Sequence, residues 1–391
     1  MAAKEPTMLF SKFSNPYQGN FLPLAENLSC RTFRALLDKA NGFADELGVP
    51  RIPIPRDAIT PQRLSVRGWM PEMGAAALGL TRNVTKDNWS WISGQFQLAA
   101  FLNGLVPSLE VDIVASHPLA VAGHFVHGDR FIVTGDHTVL TIRNGAGDTV
   151  LRLNKLDTGG ISAVWVENEQ AALRVGSSGS AVLTNDEWLR YWHPEARRGI
   201  RSAEPGSKGR FEATMALLEE RLPEYFVWIA GLLREVAPLE ECTRGTHSQS
   251  FSSWPGHVHV PVTSPLTTIV MLIHECSHQY FHLLQWNTRV EKVNAPKAYS
   301  VLMKTERPLD KILLGFHAFG NILLALQALD SVKGVFEPAE MARHQAENRA
   351  FVVGMDRELQ VLHDEHLEGA GKDIYLPLRA KLVAADVLPS A

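Results

Sequence analysis

His274 and His278 stand in the run Leu272-Ile273-His274-Glu275-Cys276-Ser277-His278, spaced so that one face of a helix carries both imidazoles a turn apart. Two imidazole nitrogens so placed converge on a single cation. Glu275, next to the first histidine, can reach a metal-bound water or orient a ligand. The spacing therefore predicts a divalent metal site, with His274 and His278 as ligands and Glu275 as the catalytic residue that orients a ligand or a bound water. A satisfied pair of core histidines beside a glutamate is the bland alternative. His282 continues the series, but it lies about 12 Å of helix rise from His274, too far for all three to share one ion. Cys276 falls on the far side of the helix and reads as packing.

Two histidines leave a third protein ligand to be found. The extended zinc-peptidase motif would need glycine at position 281 and histidine at position 284, where the chain has Phe281 and Leu284. Glu291 and Glu306 are the acidic candidates downstream, and neither stands in a peptidase-like sequence. His317 is a lone polar residue in the apolar run Leu313-Leu314-Gly315-Phe316-His317-Ala318-Phe319. A helix packed antiparallel to the metal helix would bring it to the ion as a third ligand. A buried histidine hydrogen-bonded to a neighbour is the other reading.

A longer ordered set accompanies the motif. Ala237-Pro238-Leu239 is read as closing a helix, and Ser248-Gln249-Ser250-Phe251-Ser252-Ser253 and a strand near Gly256–Val262 follow it. After the histidine helix come Tyr299, Arg307-Pro308-Leu309, Leu313, Gly315 and Ala318-Phe319. The stretch from about Val236 to Leu329 resembles the HExxH-motif peptide-modification proteins of ribosomal peptide biosynthesis, described as 2-oxoglutarate-dependent peptide β-hydroxylases. The resemblance implies Fe(II) and 2-oxoglutarate as cofactors and a peptide or protein substrate hydroxylated at a β-carbon. Arg307 is the first choice for the distal carboxylate of the 2-oxo acid, because a guanidinium binds carboxylates through two parallel hydrogen bonds. Tyr299 is a supporting hydroxyl. The chain departs from the family at Gln279, at Cys276-Ser277, and at Leu314 and His317, where the family often has histidine and an aromatic residue. Histidine ligands suit zinc as well as ferrous iron. A zinc-dependent metallopeptidase with Glu275 as general base is therefore the second expectation. A non-catalytic peptide-binding protein with a structural metal is the third.

The rest of the chain bounds these readings. Its 391 residues are 45% hydrophobic and 20% charged, the composition of a protein with a real core. A formal net charge of -4 provides no basic field for nucleic acid. Cys30, Cys242 and Cys276 form no disulfide framework and fit a reducing cytoplasm. No signal peptide or membrane span is expected, and the apolar segment Ile312–Leu326 is read as a buried helix. The oligomeric state is open.

The elements that must position the site follow from local signals. The fold expected is α+β, mainly helical around the metal helix, with a small antiparallel β layer in the middle of the chain. Three regions are expected: a helical and loop region over 1–110, a β-rich block over 111–195, and a helical catalytic domain over 208–391. A helix is predicted from about Asn27 to Leu47, ended by Gly48-Val49-Pro50, and another from Trp91 to Leu105. Gly135-Asp136 and Asn144-Gly145 predict hairpins between Arg130–Thr134, Val139–Arg143 and Val150–Leu153. Residues 196–207 read as a linker whose basic run, Arg197 to Arg201, is a solvated loop or a contact for an acidic peptide. Arg210 to Val236 predicts one or two helices broken near Pro223. Ser264-Pro265 opens the metal helix, which runs to about Gln285, and a further helix spans Pro308 to Leu329. At least one more helix fills the last 50 residues. His124, His127 and His137 match no closed metal site.

Overall fold

Phe21, Ala25 and Leu28 extend the buried stripe of the first long helix backwards, so α1 (Phe21–Leu47) begins well ahead of Asn27. Gly48 ends it in the left-handed conformation (φ 65°), its N–H donating to the carbonyls of Ala44 and Asp45. The computed structural model describes residues 9–156, 164–177, 179–184, 187–192, 206–239, 248–331 and 334–389. The basic run Arg197–Arg201, most of the expected linker and Cys242 lie outside the described residues. After α1 come α2 (Pro61–Leu64), α3 (Pro71–Thr81) and α4 (Lys86–Leu102). Thr85 and Asn88 close α4 with a reciprocal capping box, which starts the helix ahead of the expected Trp91.

The middle of the chain supplies strands β1 (Leu109–Val114), β2 (Leu119–Val121), β3 (His124–Val126) and β4 (Arg130–Gly135). Next come β5 (Val139–Asn144), β6 (Thr149–Leu156) and β7 (Val164–Val166). The first sheet is antiparallel throughout, in the order β1-β4-β5-β6-β7. Its two expected hairpins form on local hydrogen bonds. Asp136 Oδ1 accepts the N–H groups of Thr138 and Val139, and Asn144 Oδ1 accepts those of Ala146 and Asp148.

Strands β8 (Ala172–Val175) and β9 (Gly179–Leu183) leave this block for a second sheet. Three helices, α5 (Glu187–Trp192), α6 (Ser207–Arg221) and α7 (Pro223–Leu232), precede β10 (Glu235–Leu239), β11 (Gln249–Phe251) and β12 (Trp254–Pro261). The order is β11-β12-β10-β9-β8, with β10 parallel to both of its neighbours. Ala237-Pro238-Leu239 is thus a strand and not the end of a helix. Val236 O accepts the N–H of Thr184 on the β9 side, and the β9 pairing stops at Val236. Pro238, two residues on and facing the same way, lies where the ladder needs no donor.

The second sheet carries the helix that holds the histidines. α8 (Pro265–Gln285) starts where expected, with Ser264 Oγ accepting the Thr267 N–H and proline at the first position. A hairpin of β13 (Ala298–Ser300) and β14 (Thr305–Arg307) leads to α9 (Leu309–Asp330), and α10 (Pro338–His366) and α11 (Gly369–Ala384) complete the chain. By length and composition α9 could cross a bilayer, yet 72% of its most apolar window is buried against the rest of the protein. It is the central helix of the C-terminal half. One core runs from Phe13 to Leu388 and includes residues of all three expected regions.

Gln279 fixes the rotation of α8 on this core. Its Oε1 accepts from Trp69 Nε1 at 2.7 Å and from Gly256 N at 2.9 Å, and its Nε2 donates to His257 O at 3.3 Å. Gly256 has φ 72°, and a side chain there would collide with Arg234 and with the Trp69 carbonyl. Gln279→Leu orphans two buried donors, so a loss of about 2–4 kcal/mol is expected in urea unfolding. An unchanged midpoint would show that the amide is not what holds the helix.

Two buried carboxyls, Glu72 of α3 and Glu235 of β10, are held protonated above the usual carboxylate range. Burial is the main cause for both, and for Glu72 the nearby Glu235 adds to it. The folded state keeps protons that the unfolded chain has released, so these groups lower stability as pH rises from the unfolded carboxylate range, about 4.5, through the folded values of about 8. The stability lost between mildly acidic and mildly alkaline pH is expected to shrink by about 1–3 kcal/mol in Glu72→Gln, measured by denaturation across that range. A profile identical to that of the parent would refute the assignment.

Candidate functional site

α8 lies against β12 on one side and α9 on the other, and its histidine face looks away from the sheet. The His274 and His278 rings are 4.4 Å apart between centroids, at 78° to one another. Both sit deep in the protein, yet each keeps part of its surface open to solvent. Burial lowers the pKa of His274 to about 4. Burial also pulls His278 down, and the neighbouring His274, His282, His317 and Lys311 add to the effect. Both imidazoles are therefore neutral at physiological pH, the form in which a ring nitrogen ligates a metal. Nδ1 of His278 is buried with no hydrogen-bond partner. Phe319 of α9 stacks edge-on against His274 at 4.8 Å and orients its ring.

Glu275 is 1% exposed. Burial raises its pKa to about 7, while the Ser248 and Ser250 hydroxyls work in the opposite direction. Its Oε2 has no hydrogen-bond partner. A carboxyl poised near neutrality can both take and give a proton, which suits general acid–base chemistry. Ser248 and Ser250 stand at and on the edge strand β11. Sequence reasoning quoted this serine-rich segment but gave it no task, since only the fold brings it beside Glu275.

His317 faces elsewhere. Its Nε2 donates to the Phe13 carbonyl at 2.7 Å, its ring lies 6.1 Å from Phe281 and 6.3 Å from Trp228, and its Nδ1 is buried without a partner. Among the described residues, no group of three or more His, Cys, Asp or Glu side chains is arranged to hold a metal ion. The expected triad of His274, His278 and His317 is therefore not assembled. The reason lies in how the two helices run. Phe319 meets His274, while Lys311 acts on His278 and His282, so α8 and α9 are antiparallel. His317 is near enough for its charge to be felt at His278, but its Nε2 is turned to the Phe13 carbonyl of the N-terminal segment.

The remaining candidates separate in the same way. His282 is 6.2 Å from His278 between ring centroids and packs with its Nδ1 on Gln285 Oε1. Gln285 in turn donates to Asp310 Oδ2, which also pairs with Lys311 at 3.0 Å. Arg307 and Tyr299 lie in the β13–β14 hairpin, where Arg307 pairs with Ala298 and Tyr299 with Glu306. Tyr299 is 47% exposed, and its N–H donates to Glu358. Lys311, which sequence reasoning passed over, is the cation brought near the histidines. Its place in the first turn of a largely apolar helix was the available signal. No protein-family model matches the chain, and no curated protein matches it either.

His317→Phe is expected to lower stability by about 1–3 kcal/mol, since the Phe13 carbonyl loses its donor. Limited proteolysis is expected to cut the protein faster near residues 9–18, while zinc binding, read by competition with a chromogenic chelator, stays within about threefold of the parent. A loss of zinc affinity as large as that of His278→Ala would instead make His317 a ligand.

Proposed function

We propose that this chain is a metal-dependent enzyme that modifies peptide or protein side chains. In this reading His274 and His278 hold Fe(II), and 2-oxoglutarate is the co-substrate of a β-carbon hydroxylation. The observation that carries the proposal is the pair of neutral imidazoles, their rings 4.4 Å apart between centroids and reached by solvent, with the free Oε2 of Glu275 in the next position. The fit to a metal is good for two ligands and lacks a third from the protein among the described residues. That leaves more of the ion's coordination to co-substrate and substrate than a three-ligand site does.

A bound divalent ion would supply the redox or electrophilic chemistry. The chain's own residues have more limited tasks. Phe319 holds the His274 ring in place, and burial keeps both imidazoles unprotonated. Glu275 holds or releases a proton at its carboxyl group. Lys311 replaces Arg307 as the cation offered to a carboxylate of the 2-oxo acid, because it is the one whose charge is felt at His278.

A zinc-dependent peptidase remains the second reading. The observation in its favour is Glu275 itself, whose pKa of about 7 and free Oε2 are what a general base for water needs.

Anaerobic addition of Fe(II) and then 2-oxoglutarate to the apo-protein is expected to produce a visible charge-transfer band. His278→Ala is expected to abolish it, and Lys311→Met to raise the 2-oxoglutarate concentration required by about tenfold or more, with iron binding unchanged. No band, together with stoichiometric zinc in the isolated protein and peptide cleavage lost in Glu275→Gln, would replace the oxygenase with the peptidase.

A further inference from the structure

On the other side of α8 from the histidines, a cavity of about 80 Å³ lies between the start of α3, the start of β10 and strand β7. Its walls include Arg67, Glu72, Arg234 and Glu235. The two acids are 1% and 4% exposed. Glu72 Oε1 accepts the Ala122 N–H, and Glu235 Oε2 meets His257 Nδ1 at 2.8 Å. Arg234 donates to the carbonyls of Leu233 and Gly231, but its buried Nε has no partner. Arg67 lies near enough to Arg234 for the two charges to repel, and among the described residues no carboxylate forms an ion pair with either.

Four ionisable groups thus line one cavity, and among these four no ion pair joins an acid to a guanidinium. Like groups adjoin instead, guanidinium beside guanidinium and carboxyl beside carboxyl. Buried charge normally finds a partner, because desolvation without one costs several kcal/mol. A cavity with a cationic wall facing two carboxyls that burial keeps protonated while it is empty is complementary to a molecule that carries both signs, whose cation would release a carboxyl proton to solvent on binding. A bare anion would leave the two acids unserved, and a bare amine the two guanidiniums.

Size narrows the class further. At ~10–15 Å³ for each water-sized occupant, the cavity has room for roughly six heavy atoms. Met70, Leu102, Val164 and Trp165 give the remaining wall an apolar character. Arg67 and Arg234 also line a neighbouring cavity of about 100 Å³, so both guanidiniums can be reached from two sides.

We propose that this cavity binds a small free α-amino acid of the size of alanine as its zwitterion, with the carboxylate on Arg67 and Arg234 and the ammonium on Glu72 and Glu235. The site is separate from the histidine face and does not rest on the metal reading.

The test is calorimetric titration, with a thermal-shift readout beside it, of the full chain stripped of metal by a chelator. L-Alanine is expected to bind and to raise the melting temperature. Propionate, which lacks the ammonium, and ethylammonium, which lacks the carboxylate, are each expected to bind at least tenfold more weakly. Arg67→Gln is expected to weaken alanine at least tenfold and to leave the unliganded protein melting no lower than the parent, since Arg67 has no ion pair to lose and its charge repels Arg234. The proposal is overturned if millimolar glycine, alanine and serine all give neither heat nor a thermal shift. It is equally overturned if propionate binds as tightly as alanine, which would make the cavity an anion site, or if a folded Arg67→Gln binds alanine as the parent does.

Discussion

A single buried amide sets which face of the histidine helix meets solvent. α8 is buried on nearly all sides, and apolar packing by itself tolerates small rotations. Gln279 removes that freedom, because its three hydrogen bonds to Trp69, Gly256 and His257 can form in only one setting of the helix. A shift of one residue turns a helix by about 100°. Such a turn would press the amide into Leu and Ile side chains and carry His274 and His278 into the core. The close approach of Gly256 and the seating of Trp69 follow from the same setting. So does the burial of Cys276 against the sheet, where burial drives its thiol pKa far upward.

Desolvation, more than charge pairing, tunes the groups on both sides of this helix. The histidines are neutral because they are deep, and Glu275 approaches neutrality because Ser248 and Ser250 only partly offset its burial. Glu72 and Glu235 rise for the same reason, although they sit on the opposite flank. An interior with few fixed counter-charges leaves such groups responsive to whatever binds beside them. An added cation or anion then changes protonation more than it would in a site already crowded with ion pairs.

What could be read from the sequence was what is decided locally. Ser264-Pro265 starts α8 through a hydrogen bond three residues long, and Asp136 and Asn144 fold their own hairpins. The i, i+4 histidines on one helical face were legible for the same reason. Apart from the helix starts at Phe21 and Lys86, the misreadings involve distant partners. Ala237-Pro238-Leu239 looks like the end of a helix until β12 arrives, some twenty residues later, to pair with it. β8 and β9 looked like part of one central block, but β10 takes them into a sheet completed by the C-terminal half. His317 stood out as a lone polar residue in an apolar run. What decides its use is a carbonyl 304 residues away, and no periodicity reports on that. Gln279, noted only as a departure from a family pattern, gains its meaning from Trp69, 210 residues earlier.

The bond from His317 to Phe13 has a consequence for how this protein can be divided. Phe13 is fully buried and meets Tyr280 of α8 at 5.1 Å, and Asn321 donates to the Ser14 carbonyl. The first turns of the chain therefore act as a keystone between the two helices that frame the histidines. A fragment cut to begin at the last linker would keep the HExxH motif and lose the piece wedged behind it. The motif is portable as a string of letters, but the site is not portable as a module, and its inheritance requires nearly the whole chain.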